Sequence, residues 1–246
     1  MSKYVQLVED VSDLNTFIDK IEKDCQFFLG MKRKLYRGIK DAGGYGGSDY
    51  GLLKRIKNRI PRDTQQLMSE FLDMWLKSNG VTPRSEGVFC SNDMHGLGEY
   101  GKVCLIFPVG KFNAYYIDGV NDVTNDFLIG NINKDLLLNH TTIENEIIAM
   151  MKKAKKTEDV YAGIEVIKND HFPRMQIPKE KNRIKKVLEK IVSKMKFIEN
   201  ETIVKNNLSR NFGEEIVLDC DKYYYISEVQ VNTYPEITNR VNGLFL

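Results

Sequence analysis

Three separated stretches carry residue types that together suit chemistry on a charged, ring-bearing ligand. They are Tyr36-Arg37-Gly38, then Phe89-Cys90-Ser91 with a polar loop running to Tyr100, and then Glu215-Ile216-Val217-Leu218. An arginine at a strand end is a fork of donors suited to a phosphate, and two aromatic rings flanking a small-residue loop can sandwich a flat ring. A carboxylate at a strand start can stabilise developing positive charge. These are the needs of breaking the glycosidic bond of NAD: as nicotinamide leaves, the ribose acquires oxocarbenium character, and the useful protein group is a fixed anion near the ribose hydroxyls. No metal is required for that.

The elements that must position these residues follow from apolar spacing. Gly87 to Pro108 reads as strand, Gly-containing loop, one helical turn ending at Tyr100, and a second strand, and irregular connections between buried strands are where ligands usually sit. Lys34 to Ile39 reads as a strand whose end presents Tyr36 and Arg37. The glycine-rich Gly43-Gly44-Tyr45-Gly46-Gly47 matches neither phosphate-loop spacing and reads as a mobile lip. Residues 10 to 29 form an amphipathic helix, and Pro61 and Asp63 introduce another that runs to Ser78, stops at Asn79-Gly80 and places Trp75 in the core. Phe112 to Ile117 is a strand, Thr141 or Thr142 caps a helix carrying Ile143, Ile147, Ile148 and Met151, and Lys179 to Phe197 is a basic amphipathic helix. Glu215 to Leu218 and Tyr223 to Val231 read as strands joined by residues 219–222.

Composition bounds the rest. The chain has 246 residues, 42% hydrophobic and 28% charged, enough to bury a substantial core. No run approaches the roughly 18 apolar residues that span a bilayer, and the N-terminus lacks a signal layout, so the expectation is a cytoplasmic protein with no membrane partner. Cys25, Cys90, Cys104 and Cys220 show no metal spacing and read as reduced, partly buried thiols. A net charge of +2 does not prove a polyanionic partner. Lysine and arginine clusters at 32–34, 54–62, 152–156 and 179–196 are solvated helix faces or the footprint of a nucleic acid.

On these residues the chain resembles the ADP-ribosyltransferase superfamily. Members with the arginine-serine-glutamate pattern carry an aromatic-Arg-Gly, a Phe-x-Ser-type stretch and a later strand glutamate, in the order seen here. The middle stretch is also similar to the nicotinamide-stacking signature of the polymerase members, with Phe89 and Tyr100 eleven positions apart. The resemblance implies an α+β fold, an ADP-ribosyltransferase-like split antiparallel β-sandwich of two facing sheets with peripheral helices. It implies a single domain over 1–246 with a basic insertion at 118–205. It implies NAD as co-substrate, with Tyr36, Arg37, Gly38, Phe89, Ser91 and Tyr100 binding it and Glu215 as the catalytic carboxylate. Arg37 would hold the phosphates or nearby ribose, the Gly38 backbone the nicotinamide amide, Ser91 the glutamate and ribose, and Phe89 and Tyr100 the ring. Each residue has a plainer rival: a surface arginine at a strand end, a turn serine, a core tyrosine, a solvent-facing glutamate.

The chain departs from the family pattern at Gly213, where many protein-modifying members carry Glu or Gln; Glu214 is the neighbouring candidate substitute. That glycine, the basic flanks and exposed aromatics such as Tyr45 and Tyr50 narrowly favour a nucleic-acid base over a protein as the acceptor. A protein-directed transferase, an NAD glycohydrolase and a non-catalytic module of the same fold stay open. So do a toxin or phage origin and an inhibitory protein partner. Glu228, within the expected Tyr223 to Val231 strand, rivals Glu215 as the catalytic acid. His95, inside the loop, reads as a loop residue.

Overall fold

Runs rich in β-branched and aromatic residues become strands, and runs with helical apolar spacing become helices, in a computed structural model of the chain. The structure describes residues 6–7, 14–40, 48–57, 59, 66–118, 141–171, 178–199, 202–206 and 215–246. The chain divides into two compact units, one made of 1–57, 86–121 and 203–246 and the other of 58–85 and 122–202. The segment expected as an insertion therefore shares its unit with residues 58–85, and its last residues return to the sheet of the first unit.

Among the described residues the first unit holds nine strands, all antiparallel. They are β1 (Gln6–Leu7), β2 (Tyr36–Ile39), β3 (Tyr50–Lys54), β4 (Val88–Ser91), β5 (Lys102–Pro108), β6 (Asn113–Ile117), β7 (Ile203–Lys205), β8 (Glu215–Asp219) and β9 (Lys222–Ser227). Their order across the sheet is β1-β3-β9-β5-β2-β4-β8-β6-β7. Pairing links every neighbour, so where two facing sheets were expected the strands form one continuous order. Its narrow place is the join of β2 to β4. There a single residue pair, Tyr36 with Ser91, holds the two halves, whereas β2 pairs with β5 along its whole length, from Tyr36 opposite Leu105 to Ile39 opposite Lys102.

The helices are α1 (Leu14–Asp24), α2 (Gln26–Leu29), α3 (Gln66–Ser78), α4 (Thr141–Met151), α5 (Thr157–His171), α6 (Pro178–Glu199), α7 (Glu228–Thr233) and α8 (Pro235–Gly243). In the first unit α1 buries Phe17, Ile18 and Ile21, spaced as one helical face. The Phe17 ring meets Tyr50 at 4.9 Å and Tyr224 edge-on at 5.3 Å, while Tyr224 donates its hydroxyl to Asp24 over 2.7 Å. Each such aromatic pair adds about 0.5–1.5 kcal/mol beyond its burial. Near the chain's end Phe245 stacks on Phe107 and meets Phe28 edge-on, tying the residues after α8 to the same core.

The second unit contains α3 to α6. Leu67, Phe71, Leu72 and Trp75 of α3 are buried, and Gly80 ends the helix at φ +66°, a conformation glycine adopts without strain. Buried Ile143, Ile147, Ile148 and Met151 of α4 and buried Val187, Leu188, Ile191 and Met195 of α6 match the sequence expectation. Helix α5 was not anticipated, although Val160, Ile164 and Ile167 recur at helical spacing behind the acidic first turn of Glu158 and Asp159. Tyr161 of α5 donates its hydroxyl to Glu199 of α6 over 2.6 Å, and Lys152 pairs with Glu70 at 3.3 Å. Among the described residues no helix is long and apolar enough to cross a membrane.

Two readings of the sequence are corrected. Tyr50 is not an exposed aromatic: it lies half-buried on β3, an unanticipated strand, against Phe17. The expected strand over Tyr223 to Val231 ends at Ser227, and Glu228 begins α7. The reason is local. Ser227 takes φ −65° and ψ 142°, and its hydroxyl accepts the Gln230 amide over 3.1 Å, the N-cap of a Ser-x-x-Gln start. The glycine-rich stretch with Tyr45, together with Gly213 and Glu214, lies outside the described residues.

Candidate functional site

The three motif strands β2, β4 and β8 are consecutive in the sheet. Their register places Tyr36 opposite Ser91 and Ser91 opposite Glu215, so residues from three distant parts of the sequence form one row. Directly opposed residues of an antiparallel pair point to the same face, and Phe89 and Gly38, two residues along their strands, share it. All five are less than fully buried, whereas Val88, Cys90 and Ile216 between them are buried. The row lies where β2 and β4 part.

Ladder geometry also assigns the backbone of Gly38. The Ile106 amide donates to the Leu35 carbonyl over 2.9 Å, which makes Leu35 and Ile106 a hydrogen-bonded pair. Bonded and non-bonded pairs alternate along an antiparallel ladder, so Arg37 with Cys104 is bonded and Gly38 with Val103 is not. The N–H and C=O of Gly38 consequently face the β4 side, beyond the last pair that β4 makes with β2. A donor and an acceptor side by side on an extended backbone match a carboxamide.

The connection from Asn92 to Gly101 folds down over this point. It begins with the Ser91 hydroxyl accepting the Asp93 amide over 3.0 Å, and continues with the Asp93 carboxylate accepting both the His95 amide over 3.0 Å and the His95 ring nitrogen Nδ1 over 2.7 Å. A 3-10 turn, Leu97–Tyr100, then packs on β2 at backbone contact. A Cβ at Gly38 would overlap the Leu97 carbonyl oxygen and lie 2.7 Å from Tyr100 Cβ. A Cβ at Gly101, where φ is +133°, would lie 2.5 Å from backbone atoms of Ile39 and Lys40. Both glycines are thus required by close approach, and Tyr100, 53% exposed, stands beside Gly38 at the mouth.

Arg37 lies on the opposite face from Tyr36, and its guanidinium donates to the Phe89 carbonyl over 2.6 Å. It thereby braces β4 against β2 just where the ladder between them lapses. The plainer role of Ser91 is present as well, since its hydroxyl organises the loop's first turn. Burial and then the charge of Glu228 push the Tyr36 hydroxyl above its ordinary pKa, while the Asp93 carboxylate raises His95 and is itself lowered. Burial pushes the thiols of Cys25, Cys104 and Cys220 up to about 12, and that of Cys90 well above its ordinary value.

The structure therefore brings together Tyr36, Gly38, Phe89, Ser91, Tyr100 and Glu215, with Arg37 beneath them. Sequence reasoning missed a polar cluster around buried Ser227 beside this group. Fully buried Ser227 donates its amide to the Asp49 carbonyl over 2.7 Å and its hydroxyl to the Asp49 carboxylate over 3.0 Å, and Lys102 pairs with the same carboxylate. Ser227-x-x-Gln230 was the available signal. Comparison with family models, with curated proteins and with solved structures finds no match to this chain.

Proposed function

We propose that this chain is a mono-ADP-ribosyltransferase that cleaves NAD and transfers ADP-ribose to a macromolecule. One observation carries the reading: Tyr36, Ser91 and Glu215 stand in one row where β2 and β4 part, with the Gly38 backbone turned toward the gap. In this reading that parting is the split of an ADP-ribosyltransferase-type sandwich.

NAD supplies the ADP-ribosyl group and a nicotinamide leaving group. Gly38 donates its N–H to, and accepts through its C=O from, the carboxamide. Phe89 and Tyr100 exclude water from the ring faces, and Ser91 orients Glu215. The Glu215 carboxylate lies opposite the positive charge that develops on the ribose carbon, where a preorganised charge is worth more than in water. Arg37, on the opposite face, acts on that ligand by holding β4 in place through the Phe89 carbonyl.

The packing of Tyr50 against Phe17 removes one reason to favour a nucleobase as the acceptor. Arg55, from one basic flank, is also neutralised by Asp219 and Asp221. The deciding experiment incubates the protein with labelled NAD and separate pools of RNA, DNA and cell protein. Label should enter one pool. Glu215→Gln should lower transfer about 100-fold or more with NAD affinity retained, the loss typical of removing one preorganised charge-stabilising group. Arg37→Ala should weaken NAD binding. Nicotinamide release without label transfer makes the protein a hydrolase, and NAD binding without turnover makes it a binding module.

A further inference from the structure

The four basic clusters of the sequence have different fates in the structure. In the first, Lys32 donates to the Leu246 carbonyl and Lys34 to the Asn242 side chain over 2.6 Å, so both are tied to the chain's end. In the second, Arg55 is held by Asp219 and Asp221. The other two clusters lie in the second unit and keep lysines that no carboxylate meets. Lys152 pairs with Glu70, but Lys153, Lys155 and Lys156 are exposed and, among the described residues, have no ion pair. The same holds for Lys185, Lys186 and Lys190 of α6. Over Pro178–Glu199 that helix carries eight lysines and arginines against three glutamates. Its apolar residues Val187, Leu188, Ile191 and Met195 are buried, which leaves Lys185, Lys186, Glu189 and Lys190 on the solvent face. Lys186 and Lys190 stand four residues apart, about 5–6 Å, where like charges weaken a helix unless an anion lies between them. Lys196 sets its ammonium 5.5 Å over the Tyr161 ring, bringing the end of α6 to the first turns of α5, just after Lys155 and Lys156. The two clusters therefore adjoin.

We propose that this basic surface of the second unit docks on the phosphate backbone of a nucleic acid. Charge complementarity selects the partner. A nucleic acid presents closely spaced negative charges and releases a counterion for each phosphate neutralised, which favours separate lysines with no carboxylate of their own. Such contacts go to phosphate and not to base edges, so binding is independent of base sequence. A protein partner fits less well, because protein interfaces deplete lysine and enrich aromatic residues, and among its described residues α6 exposes no aromatic ring. A membrane surface fits less well again. A helix lying on lipid inserts its apolar face, and that face of α6 is already buried. The binding stands apart from the transferase reading; where that reading also holds, the docked nucleic acid is the acceptor.

The competing explanation is a solvated helix face with no partner. Fluorescence anisotropy with a labelled DNA duplex of about 20 base pairs, without NAD and over a salt series, separates the two. Wild-type affinity should fall about 3.5-fold for each phosphate contact between about 50 and 200 mM salt, the consequence of a slope of about 0.9 per contact. The triple variant Lys185→Gln/Lys186→Gln/Lys190→Gln should flatten that slope by about 2–3 and weaken binding equally on two unrelated sequences. It should melt no lower than the wild type, because it removes a like-charge pair from α6. A matched variant, Lys54→Gln/Lys57→Gln/Lys222→Gln, removes the same charge from exposed lysines of the first unit and should keep the wild-type slope. No salt-dependent binding by the wild type, an equal loss in both variants, or tighter binding to phosphatidylserine vesicles than to the duplex overturns the inference. With no NAD present, none of these outcomes bears on the transferase reading, which stands or falls on label transfer.

Discussion

Replacing Gly38 with alanine tests how the loop seats on β2. The added Cβ would overlap the Leu97 carbonyl oxygen and sit 2.7 Å from Tyr100 Cβ, against ordinary contacts of 3.4–4 Å. Those neighbours are backbone and the root of a side chain, not a flexible tip, so the 3-10 turn must lift by several tenths of an ångström or more. Overpacking of this kind costs about 1–3 kcal/mol, which for a chain of this size lowers the melting temperature by roughly 3–10 °C. The neighbouring Gly98 provides the control: a Cβ there meets nothing within 4 Å. Gly98→Ala should be neutral or stabilise by about 0.4–1 kcal/mol through the unfolded state. Gly101→Ala should cost more than Gly38→Ala, since it adds a strained positive φ to a clash with β2 backbone. Thermal melts of the three variants read the order directly. The same displacement carries Tyr100 away from Gly38, so under the proposed function Gly38→Ala should also weaken NAD binding in calorimetry. A Gly38→Ala protein that melts with the wild type, or a Gly98→Ala protein as destabilised as Gly38→Ala, refutes the described seating of the loop.

Two further outcomes are expected. The His95 imidazole should titrate above its ordinary 6.5 in NMR, and Asp93→Asn should return it toward that value. By linkage the raised His95 contributes below its unfolded pKa and loses that contribution as pH rises through the folded one, whereas the lowered Asp93 contributes above 3.8 and loses it as pH falls through its lowered value. An unchanged His95 midpoint in Asp93→Asn would show that the pair does not persist in solution. The four buried cysteines should resist a thiol reagent in native buffer at neutral pH and all react in denaturant, since burial suppresses the thiolate as well as access. Rapid native labelling would contradict their burial.

Much of the chain's local structure is legible in its residues. The helices over 14–24, 66–78, 141–151 and 178–199 and the strands around Tyr36, Phe89, Phe107 and Tyr115 follow from apolar spacing, caps and short β-rich runs. These are properties of neighbours a few positions apart, so a linear reading reaches them. Strand β3 and helix α5 were harder, because a five-residue strand beside a glycine-rich stretch and a helix with a thin apolar stripe give weak periodicity. The turn of the chain at Ser227 was legible in principle, through its Ser-x-x-Gln start, but the aromatic run before it masked the change of period.

Tertiary structure alone decides the relation among distant parts. Tyr36, Ser91 and Glu215 meet because β2, β4 and β8 are neighbours in the sheet, a pairing of residues up to 179 positions apart by number that no local pattern encodes. The same register turns Gly38's backbone toward the gap, places Arg37 beneath Phe89 and sets Tyr50 half-buried against the core. Residue types, set by covalent chemistry, were in the sequence from the start. Which of them share a face depends on strand order and register, and those are set by the packing of the whole unit.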